Sequence, residues 1–524
     1  MNAMINLARY VLLWLGLLGW AGFLGANTPP PEVHAVYAQL TATLGVPDAG
    51  RRWPRLSLAP TDTGHGAYYD PSDNQIVLEP KAIAVCERLG ERRAAALAFI
   101  LAHELAHFAH HDGETMSRRF RFMDSQDRFS LRKGLEDKAD VFGAITSELA
   151  GFALDDVVAP LLDQLYAAYH WQPNSSQYPP KAERQQVLTQ ALEKARQWID
   201  LYDCGLLLLT LNQPEPARHI FDHLNQHYRS PETVYHHGVA YLLEVFSTAT
   251  AEDLPYALPI ELDRGYQLRG LKRTIGDQDR NRRRLRRAVH IFTADMAQMA
   301  PDYFPAYLAC ATAHLYLDDE RGYASQLRRA AQLASSAKDR ALLRILEGVR
   351  HARRGEREAA RQAWQQAARL SQAPDIQAMT AHNLAYLAQG TPQRYQLSPP
   401  QSRGPQRQVG NYYVERIGSG MLRDPLRLEG GYQYLHGRKD GVLAQGLRGD
   451  TYVKLLRTRQ HALDNRFAIG SSRTRVQQHF AAQPAILYPL RGGTMLVYPE
   501  EKLAIRFDAQ DRMRAWTSFS ILSN

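Results

Sequence analysis

The sequence is poor in cysteine: Cys86, Cys204 and Cys310 are the three in 524 residues, far apart and without a CxxC pair. That scarcity argues against a disulfide-stapled scaffold or a cysteine-ligated metal site, and apolar neighbours favour reading all three as small buried side chains. Long apolar runs are also missing, apart from one at the N-terminus. With 45% hydrophobic residues and a mean hydropathy of -0.41, the chain is not a polytopic membrane protein. Nor does one sign of charge dominate. Lysine and arginine number 63 against 54 acids, a net +9, which is mild for this length and suits anionic membrane surfaces as well as nucleic acid. The length itself allows several domains with ample core.

What is present begins with a targeting signal. Arg9 precedes an uncharged run from Tyr10 to Ala26, followed by Asn27-Thr28-Pro29-Pro30-Pro31. A basic start, a short apolar core and small residues at its end make residues 1–26 a secretory signal. Gly19-x-Ala21 and Leu24-x-Ala26 are both candidate cleavage points; left uncut, the run is an N-terminal anchor. Either way the bulk of the chain is exported, in a Gram-negative cell to the periplasm, which argues against a nucleic-acid partner.

The stretch Ala94 to His111 organises the rest. It is rich in alanine and leucine and reads as a mostly buried helix. Into that apolar setting it places His103 and His107, four apart and therefore on one helical face, where both rings can reach a single metal ion. Glu104 is about 100° round the helix from His103, able to reach water at that ion without displacing it. This is the HExxH arrangement of zinc peptidases, and buried histidines beside a buried glutamate need the partner that a metal supplies. Its bland alternative is a helix with surface histidines; a third ligand decides between them. Glu136 and Asp140 lie four apart in the helical segment Gly134 to Ala144. Glu136 is the candidate third ligand, and Asp140 the acceptor that would fix a histidine ring. Two surface acids on an amphipathic helix would leave the same spacing.

His103-Glu104-Leu105-Ala106-His107 followed by Glu136-x-x-Ala139-Asp140 resembles the HtpX/BepA-like zinc metallopeptidases, in the superfamily of the CAAX prenyl endopeptidases. The resemblance covers about residues 30 to 190. It implies a gluzincin peptidase fold, one Zn2+ held by His103, His107 and Glu136, and Glu104 as general base. A further family feature, Ser-x-His-Pro ending in an arginine, has its counterpart in Ser176 to Arg184, where Tyr178 replaces the histidine. Tyr178 and Arg184 are the candidates for contacting substrate or stabilising an oxyanion.

Around this core, Pro29 to Pro31 reads as a linker and Val33 to Leu44 as a helix. A short strand falls near Trp53 to Leu58, and Gly66 to Tyr69 with Gln75 to Leu78 flank a turn-rich segment, predicting a hairpin. Such a hairpin can hold a peptide as an added strand or be purely structural. Lys81 to Leu89 leads as a helix into the histidine helix. From Arg196 the spacing changes to helix pairs. Tyr202-x-x-Gly205-x-x-Leu208 with Ala217-x-x-x-Phe221, then Tyr235-x-x-Gly238-x-x-Tyr241, Ala288-x-x-x-Phe292 and Gly348 with Ala360, approach the tetratricopeptide pattern, interrupted by Ser247 to Gln278. Stacked repeats of this kind present a binding surface for proteins or peptides. The basic run Arg280 to Arg287 is a solvated helix face or a contact for anionic lipid. Gln396 to Gln408 marks a linker. Beyond it, a capped helix near Ser472 and a final hairpin, Leu503 to Phe507 with Met513 to Phe519, resemble the BamE/SmpA-like envelope fold.

The expected architecture is mainly α with α+β parts: a peptidase domain over 27–190, TPR-like helical repeats over 195–390 and a small α+β envelope module over 410–524. The expected function is an exported zinc metalloendopeptidase acting on envelope proteins in quality control, its repeats holding substrates or an envelope partner. The rival is a chaperone-like assembly scaffold whose peptidase site is idle.

Overall fold

The computed structural model describes residues 28–45, 47, 52–110, 134–154, 156–171, 181–211, 213–248, 254–260, 278–389, 408–417, 421–440, 442–449, 451–483, 485–490, 493–498, 500–508 and 511–523. The signal over 1–26, Tyr178 and the linker up to residue 407 lie outside the described residues. The chain divides into two compact units. One runs to Asp200 and includes His227–Ser230; the other comprises Leu201–Gln226 and Pro231 onward.

The first unit opens with α1, Pro31–Leu44. Proline is at home in a first turn, where its missing N–H has no partner to lose, so the helix starts within the expected linker. A three-stranded sheet follows: β1, Arg55–Leu58, β2, Ala67–Asp70, and β3, Gln75–Leu78. β3 is central, parallel to β1 and antiparallel to β2, with Tyr68 opposite Val77. The hairpin is therefore present, and among the described residues β2 is an edge strand. Then come α2, Pro80–Glu87, α3, Arg93–His110, α4, Gly134–Leu149, and α5, Val158–Tyr169. α3 is the hub, touching α1, α2, α4, α5, β2 and β3. Its Ala98, Leu101, Ala102, Leu105 and Ala106 are wholly buried; the small side chains let neighbours approach from several directions, which is why this helix is apolar nearly all round. Trp53 and Tyr69 pack their rings on Phe108 at 5.5 and 5.6 Å, fixing the sheet against α3.

The long α6, Lys181–Thr210, runs past the first unit's end at Asp200. The second unit continues with α7, Pro214–His227, α8, Pro231–Thr248, α9, Gln278–His290, α10, Phe304–Tyr316, α11, Glu320–Leu333, α12, Ala337–Arg353, α13, Arg357–Leu370, and α14, Pro374–Gln389. These are successive helix pairs in which one contact recurs. A Cβ on Gly205 would stand 2.8 Å from the Phe221 ring, and one on Gly238 would stand 2.6 Å from Phe292. Gly348 meets the Trp364 indole in the same way. Bare backbone on one helix thus admits an aromatic ring from another. Trp364 occupies the offset from Ala360 that Phe221 and Phe292 occupy from Ala217 and Ala288, a position the sequence reading passed over. Part of the interrupting segment is built into the repeats: Asn383 bonds both the N–H and the C=O of Ala257, at 2.7 and 3.2 Å.

The second unit ends in an eight-stranded antiparallel sheet. Its strands are β6, Arg423–Arg427, β7, Gln433–Lys439, β8, Val442–Arg448, β9, Thr451–Thr458, β10, Ile486–Leu490, β11, Gly493–Tyr498, β12, Leu503–Asp508, and β13, Met513–Ser523, with the ribbon β4, Gln408–Val409, and β5, Tyr412–Tyr413, before them. Their order is β10-β11-β12-β13-β9-β8-β7-β6. One short helix, α15, Arg473–His479, packs Val476 into the sheet's core, and Ser472 caps it by accepting from the Arg475 N–H. The cap and the β12–β13 hairpin were expected. The strands β6 to β9 were not, so the module holds more sheet than the sequence reading assigned. It falls in one compact unit with the repeats. Asp203 of α6 accepts from Arg506 of β12 at 2.8 and 2.9 Å and pairs with Arg457 of β9 at 2.5 Å, and His219 of α7 packs on Tyr432 at 5.0 Å.

Candidate metal centre

α3 and α4 cross closely because α4 carries Gly143 at the crossing. A Cβ there would meet His103 N at 3.1 Å and Phe99 O at 3.2 Å. Glu136, Asp140 and Gly143 share one face of α4 by helical periodicity, so the glycine that touches α3 also aims both acids at His103. The sequence signal for Gly143 was its spacing after Asp140; only the fold shows what it admits.

At this crossing three donors converge. His103 Nε2 lies 3.2 Å from His107 Nε2 and 3.3 Å from Glu136 Oε2, while Glu136 Oε1 lies 3.5 Å from His107 Nε2. Among the described residues, this is the one group of three histidine, cysteine or carboxylate donors close enough to share an ion. The chemistry of the set fits zinc. Tetrahedral ligands at about 2.0–2.1 Å from an ion stand about 3.3 Å from one another, which is the spacing found. Two imidazole nitrogens facing each other at this distance also need something electrophilic between them, a proton or a cation.

The surrounding charges explain the ring's setting. Asp140, fully buried, places Oδ1 at 2.9 Å from His103 Nδ1, although off the N–H axis. It also receives a bidentate pair from Arg184, Nε to Oδ2 at 2.7 Å and Nη2 to Oδ1 at 2.6 Å. Burial alone would raise the Asp140 carboxyl, but the Arg184 charge holds it well below the usual carboxylate range. Burial likewise would lower His103, yet Asp140 and Glu136 outweigh it and push the ring up to about 10. The donor set therefore attracts positive charge strongly. Glu104 behaves oppositely: burial pushes its carboxyl up to about 7, despite the nearby His103 charge. Such a value near neutrality is where a group can both take and return a proton.

Glu104, His103, His107 and Glu136 line one cavity of about 560 Å³, together with Gly66 to Tyr69 of the β2 edge and the apolar Phe99, Ile100, Leu162 and Leu165. The Tyr69 backbone N–H donates to the Glu104 carboxylate, so the edge strand and the base are in direct contact. Arg184 reaches the cavity wall too, but its two donors that face inward are engaged by Asp140, and it is 5% exposed. Tyr178 is not among the described residues, so of the two substrate-contact candidates only Arg184 is placed, as the partner of Asp140.

Several residues at the wall or supporting it from behind carried no sequence signal. Glu79, fully buried, accepts from the Thr63 N–H at 2.8 Å, the Thr63 hydroxyl at 2.6 Å and the His65 N–H at 3.2 Å. It thereby pins the turn that leads into β2 and sets His65 at the cavity. Trp171 completes this rim, donating its indole N–H to Gly64 O at 2.8 Å and stacking on Tyr169 at 5.3 Å.

The comparisons with known proteins add little to this geometry. No family model and no curated protein matches the chain. Among solved structures, a thermophilic TPR protein from Thermus thermophilus aligns over 43% of this chain and 96% of its own, at 17% identity and a TM-score of 0.27. A likeness that loose leaves the metal centre to be judged on its own atoms.

Proposed function

We propose that the protein is an exported zinc-dependent endopeptidase. The observation that supports this best is the convergence of His103, His107 and Glu136 at 3.2–3.5 Å in one cavity with Glu104 and a sheet edge. His103, His107 and Glu136 would hold the ion; zinc, when bound, supplies a Lewis acid that polarises a carbonyl and acidifies water. The chain's own residues do the rest. β2, whose outer edge has no strand beside it among the described residues, offers backbone N–H and C=O groups to an extended peptide. The apolar wall receives a side chain and excludes water. Glu104, its carboxyl pushed up to about 7 by burial, takes a proton from water and returns it to the departing amine. Asp140 orients His103, and Arg184 keeps Asp140 charged.

The helix pairs of the second unit suit a protein or peptide partner, which accords with a peptidase that acts on envelope proteins in the periplasm. Glu104→Gln tests the reading. It keeps the ligands, so zinc content by elemental analysis stays at one per chain, while cleavage of casein or envelope proteins falls about 10²–10⁴-fold. Undiminished, chelator-sensitive cleavage by this variant would remove Glu104 from the mechanism. Chelator-insensitive function without proteolysis would favour the scaffold instead.

A further inference from the structure

The arginine run of α9 divides into side chains that meet an acid and side chains that do not. Arg284 turns inward, its Nε 2.5 Å from Glu244 Oε2, and Arg218 pairs with the same carboxylate; Glu244 is 2% exposed. Leu285 and Ala288 are buried on that side as well. Arg280 reaches Glu215 at 3.9 Å, and Arg287 lends its charge to Asp222. Acidic partners are therefore available around the helix, and Arg280, Arg284 and Arg287 meet them. Arg282, Arg283 and Arg286 do not. All three are exposed, and no ion pair joins them to any described residue.

At about 100° per residue, Arg282, Arg286, Arg283 and Arg287 span roughly 140° of the helix surface. That arc carries His290 and, in the first turn, Asp279, where an acid offsets the helix dipole. No apolar side chain of α9 lies within it. A protein interface is built on an apolar or aromatic centre with a polar rim; this face has only the rim's chemistry. Guanidinium groups instead match phosphate, with paired N–H donors and a weakly held hydration shell.

We infer that the outer face of α9 docks on an anionic membrane surface, Arg282, Arg283 and Arg286 lying against lipid phosphates. The inference is independent of the metal centre. It gives the second unit a lipid contact distinct from any protein held by its helix pairs.

The test compares the full-length protein with an R282Q/R283Q/R286Q variant in vesicle co-sedimentation. One set of vesicles is phosphatidylcholine alone and the other includes about 30% phosphatidylglycerol. Any contribution from the N-terminal apolar run is common to both proteins. The wild type is expected to prefer the anionic vesicles. The triple variant is expected to bind them at least about tenfold more weakly, and raising salt from about 0.1 to 0.5 M to release the wild type. Because the three side chains are exposed and form no ion pair with any described residue, the thermal transition of the variant is expected to match the wild type, so loss of binding cannot be ascribed to unfolding. Equal binding of the two proteins to anionic vesicles overturns the inference, as does a wild type indifferent to phosphatidylglycerol. Wild-type binding to soluble polyglutamate without binding to the vesicles assigns the face to an acidic protein, and overturns it too.

Discussion

Two aspartates in this molecule, one fully buried and one partly, are held by arginine, and they differ in what else they touch. Asp140 is fully buried, paired to Arg184 twice, and 2.9 Å from a histidine ring. Asp203 is paired to Arg457 and Arg506, and both carboxyls are held below their usual range by those guanidinium charges against the opposing effect of burial. Judged by electrostatics alone they are the same device. Asp140, however, passes its charge to His103 at a cavity of about 560 Å³, whereas the hollow beside Asp203 has about 30 Å³, room for no more than a water or two. A perturbed carboxyl marks a functional site only when a third group and an open space adjoin it; otherwise it marks a structural tie. Asp203 is such a tie, binding helical repeats to the C-terminal sheet.

That contrast can be broken most forcefully at Asp140. Asp140→Ala strands Arg184 at 5% exposure, which costs about 3–5 kcal/mol of unfolding free energy. It also loosens the His103 ring, so zinc affinity falls about 10–100-fold. Denaturant unfolding and competitive metal titration read the two effects separately. Asp203→Ala is the matched case. Arg457, as buried as Arg184, loses this partner too, while the partly exposed Arg506 can turn to solvent, so the expected loss is about 2–4 kcal/mol, with zinc affinity unchanged. A metal affinity that moved with Asp203 would erase the distinction between tie and site.

Gly143→Ala sharpens it further. The added methyl meets α3 backbone at 3.1–3.3 Å, so the helices must separate by a few tenths of an ångström, costing about 1–2 kcal/mol. Since Glu136 and Asp140 travel with that helix, zinc affinity is expected to fall with stability. A separate effect is expected from pH. Burial, aided by Arg218, pushes His219 down to about 4 from an ordinary 6.5. The unfolded chain therefore binds the extra proton in that window, and stability declines as pH falls from about 6.5 to 4. Substituting His219→Gln should flatten this part of the stability–pH curve; an unchanged slope would assign the acid sensitivity elsewhere.

Local periodicity made much of the site readable. His103, Glu104 and His107 lie on one helix, and spacing four apart fixes which faces they share. Glu136 and Asp140 were readable as a pair for the same reason, and Ser472 as a cap because capping is a matter of three residues. The Glu79 carboxylate was invisible, since its partners lie 14 and 16 residues upstream in a loop and no short pattern announces it. Arg184 stood among the substrate-contact candidates, but a salt bridge across 44 residues gives it a partner that sequence spacing cannot see. The strands β6 to β9 were missed because each pairs with neighbours whose alternation is irregular: β8 is buried at six of its seven positions, so it lacks the in–out signature of a half-buried strand.

By itself, then, the sequence determined which residues could act together within a helix turn, because side-chain direction there follows from backbone geometry alone. It also determined the pairing of small and aromatic residues that sets the helical repeats. Tertiary structure decided that α3 and α4 meet at Gly143, that Arg184 serves Asp140, and that β2 presents its edge to Glu104. Those outcomes depend on segments distant in the chain arriving at the same place, and the burial of α3 on many sides is the force that brings them there.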